Sequence, residues 1–113
     1  MIITYADGSG NAFVINGTRQ KVIEYTPVKP EFSSSGVYDG GTCMKKEIDE
    51  ILFMQIRTCV MDAMSNPSIQ IKNRVMGSGL IIMKDRGKVI SCILQPSSPE
   101  QRKIETLLKE IIA

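Results

Sequence analysis

The residues best suited to chemistry lie together in Ser33-Ser34-Ser35-Gly36-Val37-Tyr38-Asp39-Gly40-Gly41-Thr42-Cys43. Hydroxyls, glycines that admit a close approach, and the free N–H groups of a helix start combine into an anion site. The apolar spacing downstream predicts a helix beginning near Thr42, so this stretch is expected to lead into a helix N-terminus. Ser34, Ser35, Gly36, Tyr38, Asp39, Gly40, Gly41, Thr42 and Cys43 are then the expected contacts for a small ligand or anion. Asp39 opposes an anion by its charge. The plainer reading of the same residues is a solvated connection whose glycines turn the chain.

Gly36 and Gly41 have the spacing of half a phosphate-binding loop, but Thr42 stands where its lysine would be. Cys43, placed in the first turn of the expected helix with Lys45 and Lys46 near it, could carry an acidified thiol. No histidine exists anywhere in the chain to act as its base or to hold a metal. Cys59 and Cys92 fall on apolar phases and read as small buried hydrophobes. Three widely spaced cysteines without a CxxC pair point to reduced thiols in a cytoplasm and away from a zinc ribbon or a disulfide scaffold. Among the acids, Glu47 and Glu50 share a helix face with Lys46 and read as a solvated surface. The sequence thus weighs against an enzyme, supplies no catalytic residue, and calls for no cofactor or metal.

A second cluster is electrostatic. Between residues 67 and 95, Lys72, Arg74, Lys84, Arg86 and Lys88 face only Asp85. Such a basic segment could contact the phosphates of nucleic acid. It contains no aromatic residue for bases to stack on, and lysines at a hairpin also keep sheet edges soluble. Seven methionines, with Met44, Met54, Met61 and Met64 on one expected helix, suit either a core or an adaptable contact surface.

The elements that must position these residues follow from periodicity. Ile2 to Ala6, Ala12 to Ile15 and Arg19 to Tyr25 predict three strands, joined by the turn cluster at 7–10 and by Asn16-Gly17, the dipeptide suited to a type I′ turn. Residues 27–41 are a Ser/Gly/Pro-rich irregular connection. A helix is expected from about Thr42 to Ser65, apolar over much of its girth and stopped by Asn66-Pro67. Alternation over 69–76 predicts a strand, and Leu80 to Met83 with Val89 to Leu94 predict a hairpin. Ser98-Pro99-Glu100-Gln101 is a capping-box start for a last helix with Ile104, Leu107, Leu108 and Ile111 on one stripe.

At 113 residues, 42% hydrophobic and 23% charged, the chain suits one globular domain. It has no apolar run long enough for a membrane span, and residues 1–8 lack the basic start of a secretory signal. The expected fold is α+β, an antiparallel sheet of five to six strands with two helices on one face in the order β-β-β-α-β-β-β-α. The leading functional reading is a non-enzymatic binding or assembly module, self-associating as a dimer. The alternatives are a ligand binder or enzyme built on Ser33 to Cys43, and a weak nucleic-acid binder using the basic hairpin.

Overall fold

The structure is a computed structural model that describes residues 1–28 and 41–113. Strands β1 (Ile2–Ala6), β2 (Ala12–Asn16), β3 (Val22–Thr26) and β4 (Met44–Glu47) precede helix α1 (Glu50–Met64). A 3₁₀ turn (Pro67–Ile69) leads to β5 (Gln70–Ile71), β6 (Gly79–Asp85), β7 (Lys88–Leu94) and helix α2 (Pro99–Ile112). The seven described strands form one antiparallel sheet in the order β4-β3-β2-β1-β6-β7-β5. The expected α+β class holds, with seven strands in place of five or six.

Alternation along the strands decides which face is covered. Ile3, Tyr5, Phe13, Ile15, Ile23, Tyr25, Ile81 and Met83 are buried and share one core with Phe53, Ile56 and Val60 of α1 and Ile104 and Leu108 of α2. The register lines Tyr5, Phe13 and Tyr25 across three strands. Their rings are tilted against each other, Phe13 to Tyr25 at 4.8 Å and Tyr5 to Phe13 at 6.5 Å between centroids. Such offset contacts contribute beyond the apolar area they bury.

The β1–β2 connection is held by a buried acid. Asp7 Oδ1 accepts from the backbone N–H of Ser9 and of Asn11, each at 2.9 Å, and Oδ2 accepts from Asn11 Nδ2 at 3.0 Å. Asn11 Oδ1 in turn accepts from the Val28 N–H at 2.9 Å, tying the end of β3 to this turn.

Several expectations are corrected. Asn16-Gly17 does not form a two-residue turn; residues 17–21 connect β2 to β3, and Gly17 has no positive φ. Its lack of a side chain serves close packing instead, since a Cβ there would collide with the Phe53 ring at Cζ. The type I′ signature sits at Arg86-Gly87, with φ of 50° and 78° between the paired residues Asp85 and Lys88.

The helix expected from Thr42 begins at Glu50. Asp49 is its N-cap and accepts from the Leu52 N–H at 2.7 Å. Met44–Glu47 is a strand paired with β3, where Lys45 opposes Glu24 and forms an ion pair at 3.5 Å. Of the strand expected over 69–76, only Gln70 and Ile71 pair with β7; the following residues form the Ser78-closed turn described below. Ser98 caps α2 as predicted, accepting from the Gln101 N–H. Gln101 does not reach back as a capping box requires. It is buried, and its Nε2 donates to Gly77 O and Glu105 Oε2, both at 2.9 Å.

Candidate functional site

Helix α1 opens at Glu50 and not at the end of the predicted ligand stretch. Residues 34–36 and 38–40 fall outside the described residues. Gly41, Thr42 and Cys43 are exposed and precede an edge strand, and α1 opens seven residues beyond Cys43. Neither the dipole nor the free N–H groups of α1 can act on Cys43 or Gly41 from that position. A small depression of about 300 Å³ touches Cys43, Met44 and Lys45 beside Glu24 and Tyr25.

The predicted basic set is divided. Arg74 lies ahead of β6, in the segment whose Ser78 O accepts from its Nη2 at 3.2 Å, and Lys72 precedes it. Lys84, Arg86 and Lys88 lie at the far end, around the hairpin tip. The length of β6, roughly 20 Å at the usual rise per residue, separates the two groups. Between them, Ser78 Oγ closes the turn by donating to Val75 O and accepting from the Val75 N–H. That turn presents Met76, 92% exposed, rather than a cation.

What the fold does assemble is an apolar groove between the helices. α1 buries Phe53, Ile56, Val60 and Ala63 against the sheet. Because the helix is apolar well beyond that stripe, Ile51, Met54 and Met61 remain outside, 71%, 42% and 38% exposed. α2 buries Ile104, Leu108 and Ile111 and leaves Leu107 half-buried at its flank. The two helices flank an open groove of about 860 Å³ whose lining includes Ile51, Met54, Cys59 and Leu107. Thr58, also in the lining, donates its hydroxyl to Met54 O of its own helix at 2.8 Å.

The helices run antiparallel over the sheet. α1 starts beside the β2–β3 connection, where Lys21 pairs with Glu50 at 2.7 Å, and ends where Gln70 Nε2 donates to Ala63 O and Met64 O. α2 starts beside Gly77 and ends where Lys46 Nζ donates to Ile111 O at 2.9 Å. One mouth of the groove therefore carries Glu50 and Glu110, and the lining towards the other carries Arg102 and Lys103.

A second, buried polar cluster sits under α2. Tyr5 is fully buried and its hydroxyl donates to Glu105 Oε2 at 2.7 Å. Burial, the hydrogen bond to Glu105 and the charges of Glu105 and Asp7 push the Tyr5 hydroxyl far above the usual tyrosine range, opposed weakly by Arg74. Burial also raises the Cys92 thiol. Neither group offers a reactive anion near neutral pH.

Among the described residues, no three histidine, cysteine, aspartate or glutamate side chains come together as a metal site would require. No described helix is long and apolar enough to cross a membrane. The signal for the groove was present in the sequence as an over-wide apolar face, but which residues stay outside depends on where α1 meets the sheet. Set beside known proteins, the chain matches no family model, no curated protein and no solved structure.

Proposed function

We propose that this protein is a non-enzymatic assembly module of the cytoplasm that self-associates through its helix layer. One observation carries the reading: large apolar side chains, Ile51 above all, stand exposed along the groove between α1 and α2. Contiguous exposed apolar surface on a soluble chain marks a contact site, whereas scattered single residues do not. On the opposite sheet face Ile2, Val14, Leu80 and Ile82 are already half-buried, and only Val89 among the large apolar side chains of the described strands there stands well exposed.

Helices of 15 and 14 residues, about 21 Å long and roughly 10 Å apart, offer a compact contact face. A face of that size lies at the small end of stable interfaces. The dimer is accordingly expected to exchange with monomer in the micromolar range.

Light scattering across a dilution series, run beside thermal shift with a metabolite and nucleotide panel, tests the proposal. A concentration-dependent dimer with no ligand shift supports it. A monomer throughout sinks it. A ligand held at a hundred times its Kd would add about 2.7 kcal/mol of stability. A shift of that size from one compound class would move the assignment to a ligand binder.

A further inference from the structure

The charge pattern of the groove goes beyond self-association to a specific arrangement. Resting on the assembly proposed above, we infer that two copies pack helix layer to helix layer about a two-fold axis perpendicular to the groove. The acidic mouth of each copy then meets the basic lining of the other.

Three observations support this geometry. First, the groove is polar in the electrical sense, with Glu50 and Glu110 at one mouth and Arg102 and Lys103 towards the other. Second, Met54 of α1 and Thr106 of α2 lie between the two charged ends of the lining, so an axis passing near them sets Glu110 of each copy against Arg102 and Lys103 of the other, about one turn from the centre, with Glu50 reaching them from across the groove. Third, the acids keep room for a second cation. Glu50 pairs with Lys21 yet its side chain is 67% exposed, and Glu110 is exposed.

The alternative two-fold, with its axis along the groove, would set Glu50 and Glu110 against the same residues of the other copy. Like charges so placed repel and select against that arrangement. Asp62, in the last turn of α1, and Glu100, in the first turn of α2, line the adjoining cavity of about 370 Å³ together with Lys103 and are not part of the groove lining.

Because a two-fold contact is made twice, charge reversal gives a decisive test. One variant carries Glu50→Lys with Glu110→Lys, and a second carries Arg102→Glu with Lys103→Glu. Each alone is expected to dimerise at least a hundredfold more weakly than the parent chain, since both contacts become like-charged. Mixed in equal amounts, the two should recover a dimer, because every contact is again opposite in sign. That recovery also shows both variants to be folded.

Variants that each dimerise as well as the parent would overturn the antiparallel arrangement while leaving self-association standing. Loss in each variant with no recovery on mixing, circular dichroism being unchanged, would overturn it too. A parent chain that is monomeric throughout would remove this inference together with the reading beneath it.

Discussion

Replacing Ile51 by serine isolates the groove from the fold. Ile51 keeps 71% of its surface in the free chain and faces away from the buried stripe of α1. Isoleucine and serine have similar helix propensities, so the helix itself should not notice the change. Full burial of an isoleucine contributes about 2 kcal/mol, of which the exposed share leaves about 1.5 kcal/mol for a partner to supply. A two-fold contact uses the residue once on each copy, giving about 3 kcal/mol, or a dimer weakened roughly a hundredfold. Sedimentation or light scattering over a dilution series measures that change, and thermal melting at high dilution checks that the monomer is untouched. Ile90→Ser is the matched control, since Ile90 is 56% exposed on β7 and does not line the groove. An unchanged dissociation constant for Ile51→Ser, with the melting curve also unchanged, would refute the assignment of the contact to the helix layer.

Other consequences concern the scaffold. The Tyr5 hydroxyl ionises far higher in the folded chain than when unfolded, so its contribution is complete below the usual tyrosine value near 10 and is lost as pH rises above it. Denaturant melts of the parent should fall by up to about 1.4 kcal/mol per pH unit from this residue above pH 10, and Tyr5→Phe should remove that slope. Asp7→Ala strips acceptors from the Ser9 and Asn11 N–H groups and from Asn11 Nδ2, and should cost about 2 kcal/mol or more in urea unfolding. Asp49→Ala removes the N-cap of α1 and should cost about 1 kcal/mol in the same assay, whereas Thr42→Ala should cost nothing measurable.

Local pattern determined much of this protein. The positions of β1, β2, β6, β7 and α2, and the class of the fold, follow from β-prone and apolar runs set between turn residues and from the Ser98-Pro99 cap, because these signals are carried by residues a few positions apart. Where two local readings competed, tertiary contacts chose. Met44 to Glu47 fits a helical stripe as well as a strand, and the β3 edge, offering Glu24 to Lys45, took it as a strand. Asn16-Gly17 and Arg86-Gly87 both can turn a hairpin. Only the second lies between strands in tight register, while Gly17 is fixed by the ring of Phe53, distant in sequence. Gln101 matched a capping box, yet Gly77 and Glu105 offered its amide acceptors that the local helix start could not.

The same division holds for function. The sequence showed an apolar girth too wide for one buried stripe, and it showed the count of charges. It could not show that Glu50 and Glu110 share one mouth of a groove, or that β6 holds Arg74 and Arg86 apart. Those placements arise from antiparallel helices crossing a sheet whose strand order departs from chain order, and a surface built from distant segments exists only once the chain has folded.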